Sequence, residues 1–192
     1  MAPKTEEQLN RIREEKKSKI LDTALKLFAY NGFDRTTISK IAKDAEVSKG
    51  LIYNYFESKE EILKGIINQA ETESDNIMNE MKEDDPKQNI RVLFEAFFRQ
   101  IKKNQEFWKL TLTLSLRANE FPYIKEMVTT RLEEYIAFLK ELFNKAGIEK
   151  PSEEARILGA TMDGVVLHYV LADQDYPIDD IKNGLINRYT KP

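Results

Sequence analysis

Within 192 residues, the triplet Ser48-Lys49-Gly50 joins a capping hydroxyl, a long cation and a residue without a side chain. Tyr53, Tyr55 and Lys59 follow closely. These groups share one chemistry, the recognition of an anionic polymer. Lysine reaches phosphate or base edges, and a phenol donates to phosphate while its ring packs. Gly50 is a poor helix former, so its place near a helix start suggests close approach to another surface. Lys59 falls at the start of a later helix, where its charge mildly opposes the helix dipole, so an external anion is the expected partner. Covalent chemistry has far less to work with. The chain has no cysteine and one histidine, His168. No glycine loop could cradle a phosphate, and no cluster has metal-ligand spacing. Neither an enzyme nor a resident cofactor or metal is expected.

The elements that must position these residues read as helices throughout. Gly and Pro number seven and six and punctuate periodic segments. Ile20, Leu21, Ala24, Leu25 and Phe28 share a face, and Asn31-Gly32 offers a left-handed stop. Ile38, Ile41, Ala42 and Ala45 make the next face, with Thr37 as N-cap. After a tight turn at Glu46-Val47, Ser48 caps a helix through about Asn54. Two short helices joined this way form a helix-turn-helix, in which one helix braces on the phosphate backbone and the second enters the major groove. Ser58 and Glu61 form a capping-box pair for a fourth helix reaching Met78 or Met81. The charged stretch Lys82–Pro86 ends it. Further helices are expected at about 87–103, 105–119, 122–146, 152–173 and 178–189, giving about nine in all. Leu110–Leu116 alternates as L-T-L-T-L-S-L, a strand pattern. A lone strand would leave its backbone groups unpaired, so it too is assigned to helix.

The stretch GFDRTTISKIAKDAEVSKGLIYNYFESKEEIL, Gly32 to Leu63, resembles the DNA-binding domain of tetracycline-repressor (TetR)-type regulators. It keeps the Gly-aromatic pair, the Thr-Ile opening, the Ala-x-Val-Ser-x-Gly turn and the Tyr-x-Tyr-Phe-x-Ser-Lys run. It departs at Glu46, where the family often has Gly, and at Tyr55, where it often has His. The resemblance implies that Thr36 and Thr37 touch phosphate, alongside the capping role of Ser48. It makes Lys49 the base-edge reader, with Gly50 close to the groove. Tyr53, Tyr55 and Lys59 would hold the backbone. The basic run Arg11, Arg13, Lys16, Lys17 and Lys19 is read as a solvated prolongation of the first helix, with contact along phosphates or entry into a minor groove as the alternative.

The resemblance also implies that the rest of the chain binds a small ligand and forms a homodimer. Residues 155–172 are apolar almost all round, as in a helix covered on more than one side. With 178–189 it would supply half of a four-helix interface, so the homodimer is placed at about 152–189. Aromatics crowd residues 94–143, and Phe97, Trp108, Met127 and His168 are the candidate ligand contacts. His168, by itself, reads as a hydrogen-bonded core residue. Asp163 would meet a cationic ligand group or pair with an arginine.

The overall net charge is −3, which alone argues against nucleic acid. Residues 1–64, however, hold 13 basic and 11 acidic side chains, and residues 65–192 hold 17 and 22. The sequence therefore reads as an all-α chain with two domains. Residues 1–64 form the helix-turn-helix domain, a three-helix unit with its recognition helix at about 48–54. Residues 65–192 form the helical ligand-binding and dimerisation domain. The expected function is a ligand-responsive transcriptional regulator, a repressor released from a palindromic operator by a small molecule. Double-stranded DNA, the effector and a second copy are its partners. With no signal-like N-terminus and no long apolar run, a cytoplasmic protein without a membrane partner is expected. A helical small-molecule carrier with an incidental two-helix motif is the alternative.

Overall fold

The computed structural model describes residues 5–79, 81, 85–120, 122–172 and 175–191. Among these, every regular element is helical: α1 (Glu6–Asn31), α2 (Ile38–Asp44), α3 (Lys49–Tyr53), α4 (Lys59–Asn79), α5 (Pro86–Lys103), α6 (Gln105–Leu116), α7 (Pro122–Lys145), α8 (Pro151–Ala172) and α9 (Ile178–Thr190). The chain divides into two compact units, residues 1–73 and 74–192. The expected boundary at 64/65 falls inside α4, which continues unbroken past it.

In the first unit, α1 begins on a capping box in which Thr5 and Gln8 satisfy each other's backbone N–H. It ends at Gly32, whose positive φ of 84° an L side chain rarely adopts. Ile20, Leu21, Ala24 and Phe28 of α1 are buried, as are Ile41, Ala42, Ile52, Phe56, Ile62 and Leu63. Phe28 meets Phe33 edge-on at 5.0 Å. Ser58 accepts from the Glu61 N–H, but the Glu61 carboxylate returns to the Glu57 N–H, one residue before the expected box partner.

In the second unit, α7 packs along α8 and α5 along α9. Ile90, Phe94, Phe98, Leu139, Phe143, Leu158 and Met162 share one core. Phe143 stacks on Tyr189 at 4.9 Å, and the Tyr189 phenol donates to Glu154 at 2.9 Å. The alternating segment is helix. Leu110 and Leu114, four apart, are buried. The Thr111 and Thr113 hydroxyls donate to the carbonyls of Trp108 and Lys109 at 2.9 Å. Helical back-bonding thus accommodates the threonines that mimic a strand pattern. α6 stops at Leu116, short of the expected 119, and a 3-10 turn covers Ala118–Glu120. Lys82, Glu83, Asp84, Phe121 and Asp173 lie outside the described residues.

The expectation that α8 is covered on more than one side is met on one side within this chain. Ala155, Leu158, Met162, Val165 and Val166 are buried, while Ile157, Leu167 and Leu171 are 43%, 42% and 74% exposed. Among the described residues α8 is also the one helix long and apolar enough to cross a bilayer by length and composition. Its buried side nevertheless belongs to the unit's core.

Candidate nucleic-acid interface

The geometry of the helix-turn-helix follows from its caps. Thr37 accepts from the Lys40 N–H at 3.2 Å and starts α2. Ser48 accepts from the Leu51 N–H at 3.1 Å and starts α3. Each cap satisfies an amide that the helix cannot. Ile41 and Ile52, both fully buried, anchor the two helices to the core. α3 has five residues, so its opposite face lies open: Ser48, Lys49 and Gly50 are exposed.

A Cβ built on Gly50 would meet nothing within 4 Å. No internal packing requires this glycine, which leaves the space beside it for something outside the chain. The Lys49 ammonium sits 5.9 Å from the Tyr53 ring centroid, and Lys49 has no acidic partner among the described residues. Tyr53 is 49% exposed. Tyr55 is half-buried, with the Arg13 guanidinium 5.7 Å from its ring centroid. The structure thus brings Ser48, Lys49, Gly50 and Tyr53 together on one short helix, with Thr37 exposed at the start of α2.

Two residues expected to touch phosphate have partners inside the unit. Thr36 is 1% exposed, and its hydroxyl lies 2.9 Å from the Gly32 carbonyl and 3.2 Å from that of Leu27. It therefore ties the α1–α2 loop to the end of α1 and does not face phosphate. Consecutive residues at a helix start point in different directions, so of the Thr36-Thr37 pair one is inside and one outside. Lys59, expected to stand ready for an external anion, donates to the Phe33 carbonyl at 2.7 Å and approaches that of Asp34 at 3.4 Å. Its ammonium also lies 4.3 Å from the Phe33 ring centroid. This cation holds the same loop from the α4 side.

The turn keeps its left-handed residue although that residue is not glycine. Glu46 has φ 55°. Its carboxylate accepts from Lys19 of α1 at 2.8 Å, and that hydrogen bond holds its pKa below the usual value. Lys19 was visible in the sequence only as one member of a basic run. The pointer to this contact was the charged residue at a turn position where glycine is common.

The four candidate ligand contacts are not gathered in one place. Phe97 and Trp108 meet edge-on at 5.7 Å, and the Trp108 indole donates to the Gln100 carbonyl at 3.3 Å. Both flank the core of the second unit, whereas Met127 and His168 are outside that cluster. His168 is an exposed residue set edge-on to Tyr176 at 5.8 Å, which corrects the core reading. Its helix turns the apolar side inward and leaves residues 167 and 168 outside. Asp163 makes no ion pair with an arginine among the described residues. It lines a surface groove of about 560 Å³ between α7 and α8, together with Leu132, Ile136, Lys140 and Arg156. Partial burial raises the Asp163 carboxyl pKa. Burial, and secondarily the Asp163 charge, raises that of the Tyr135 phenol.

Comparison with known proteins agrees with this architecture along most of the chain. Residues 20–66 match the family described as bacterial regulatory proteins, tetR family. Residues 84–187 match the tetracyclin repressor-like C-terminal domain. The HTH-type transcriptional regulator YuxN of Bacillus subtilis is 28% identical over 93% of this chain and 67% of its own length. The fatty acid metabolism regulator protein of the same organism is 26% identical over 87% and 90%. Among solved structures, the fatty acid degradation regulator FadR from Bacillus halodurans aligns with a TM-score of 0.74 at 25% identity, over 91% of this chain and 94% of that one. The chain belongs to the tetR family of bacterial regulatory proteins.

Proposed function

We propose that this protein is a cytoplasmic repressor that acts as a homodimer on a palindromic operator and leaves it when a small molecule binds the second unit. One observation carries the reading: α3 presents Lys49, Gly50 and Tyr53 outward, with Lys49 lacking an acidic partner and Gly50 facing open space. A short helix held at its cap and by one buried isoleucine is suited to entering a major groove. In this reading Lys49 meets a base edge, and Thr37, Ser48, Tyr53 and Tyr55 meet phosphates. Thr36 and Lys59 act indirectly by fixing the loop that carries Thr37. The exposed Ile157, Leu167 and Leu171 of α8 support pairing with a second copy, which would place two recognition helices about 34–36 Å apart. The effector we propose is a fatty-acyl molecule. Support comes from the fatty acid regulators among the relatives and from the aromatic side chains that flank the second unit's core.

Selection of bound sequences from random duplex DNA tests this, with anisotropy titration of the selected duplex. A palindrome is expected. Lys49→Ala should lower affinity by about 5- to 150-fold and relax the preference at one base position. Stearoyl-CoA should weaken operator binding. Unchanged affinity in Lys49→Ala would remove the assignment of the reading helix, and duplex affinity that ignores every fatty-acyl ligand would remove the effector.

A further inference from the structure

The N-terminal half of α1 is a helix without a core. From Glu6 to Lys19 its residues are exposed or half-exposed, and burial begins at Ile20. A helix segment that buries nothing needs side-chain pairs or an outside partner to justify its order. Arg11 pairs with Glu15 at 2.9 Å, and the Ser18 hydroxyl lies 3.4 Å from Asp22. The opposite edge has a different character. Asn10, Arg13, Glu14 and Lys17 of α1 form a notch of about 210 Å³ with Asn54 and Tyr55, at the C-terminal end of the recognition helix. Arg13 lies 5.7 Å from the Tyr55 ring centroid. Lys17 is half-buried, and neither cation has an acidic partner among the described residues. Glu14 is on the rim, since it also lines the neighbouring groove with Glu15 and Asp22.

We propose that this notch is a DNA-backbone site, in which Arg13, Lys17 and the Tyr55 phenol take one phosphodiester bordering the groove that α3 enters. The inference rests on the DNA-binding reading above and extends it to the prolongation of α1, so that the first helix is part of the binding surface as well as the scaffold. Asn54 lies five residues beyond Lys49, about 7.5 Å along a helix axis. The reading end and the notch therefore stand at opposite ends of one short helix, within a major groove about 12 Å wide. Two cations with no acidic partner among the described residues are the chemistry for a phosphate, and an arginine fork over a phenol ring presents its donors in a fixed plane.

The test uses the full chain and the duplex recovered by selection, with affinity measured from ~50 to ~200 mM salt. The double variant Arg13→Ala/Lys17→Ala is expected to lower the slope of log affinity against log salt by about 0.9 per bound subunit, the value of one neutralised phosphate. Arg13→Lys should retain the slope. Arg11→Ala should leave it unchanged, because that guanidinium is already paired. Glu14→Gln should tighten binding, because it removes a rim carboxylate. Circular dichroism of each variant verifies that α1 remains helical, and Arg13→Gln, at an exposed position, gives a second reading if the double variant is unstable. An unchanged slope in the double variant, or in Arg13→Gln where the double variant does not fold, would overturn the notch and leave the regulator standing. So would an equal loss in Arg11→Ala. Failure of the parent chain to bind any duplex would overturn both.

Discussion

The two units hold their side chains by different means. In the first, directional contacts do most of the positioning. Thr5, Thr37, Ser48 and Ser58 each receive a backbone N–H, while Thr36 and Lys59 tie down the loop from opposite sides. In the second, Asp85 caps α5 but α6 and α9 start without a side-chain cap, and rings fill much of the core: Phe94 and Phe143 on Tyr189, and Phe97 between Phe98 and Trp108. Hydrogen bonds fix where an atom points, which suits the reading role proposed for Lys49. Non-directional packing fixes volume and tolerates rearrangement, which suits the ligand-binding role proposed for this unit.

The largest expected effect tests the packing side of this contrast. Phe143 is fully buried and stacked on Tyr189. Phe143→Ala should cost about 3–5 kcal/mol, the range for truncating a buried aromatic ring. Chemical denaturation followed by the fluorescence of Trp108, the only tryptophan, would read the loss within the second unit itself. A loss below about 1 kcal/mol would mean that the site collapses readily, and that packing does not carry the order assigned to it.

The same contrast explains what the sequence could reveal. Thr37 and Ser48 were legible as caps because a cap needs a particular residue type at a particular offset. Lys49 and Gly50 are legible as contact residues from their types at a helix start and from the resemblance of the motif. The orientation of Thr36 was not legible, since its neighbour has the same side chain and the choice depends on the carbonyls of Leu27 and Gly32. The internal role of Lys59 is not legible for a related reason: its partners are backbone oxygens, which leave no mark in a sequence. In the second unit the helices can be read from periodicity and from Pro122, Pro151 and Pro177, each at or next to a helix start. Which aromatic faces which could not, because ring packing obeys no spacing rule. Met127 and His168 therefore fell outside the aromatic cluster.

A pair of glycines sharpens the comparison at smaller amplitude. A Cβ on Gly65 would lie 2.9 Å from Leu21 Cδ2 and 3.2 Å from Phe56 Cε1, both in the closed core of the first unit. A Cβ on Gly159 would lie 2.9 Å from the tip of Ile136 alone, a half-buried side chain on the α7–α8 groove. Alanine gains up to about 1 kcal/mol of helix preference at either position. Overpacking costs about 1–3 kcal/mol where neighbours cannot move. Gly65→Ala should therefore lose about 1 kcal/mol net, and Gly159→Ala should be neutral or slightly stabilising, as read by denaturant midpoints. Equal losses at both sites would show that the second unit is as closely interlocked as the first.

The smallest effect concerns the turn before the recognition helix. Glu46 holds a left-handed conformation that costs a non-glycine residue about 1–2 kcal/mol. Its carboxylate is hydrogen-bonded to Lys19, which lowers its pKa, with the Lys19 charge and then that of Lys16 adding to the effect. A carboxylate with a depressed folded-state pKa contributes stability that is present above its unfolded pKa and lost as pH falls through the folded one. The window therefore opens near pH 4.5 and extends below it. Both side chains are exposed, so solvent screens the pair and the contribution is small. Melting curves of the parent and of Lys19→Ala from about pH 7 to about pH 3 isolate it, because Glu141 and Asp179, whose pKa values are also lowered, are unchanged between the two. The parent should lose slightly more stability on acidification than Lys19→Ala. Glu46→Gly should flatten the acid response in the same way while relieving the backbone. Superimposable acid responses in parent and Lys19→Ala would mean that backbone hydrogen bonds alone maintain the turn: Glu46 N–H to Lys43 and Val47 N–H to Ala42. The backbone bonds of the first unit would then suffice even at Glu46, whose left-handed conformation a side chain disfavours.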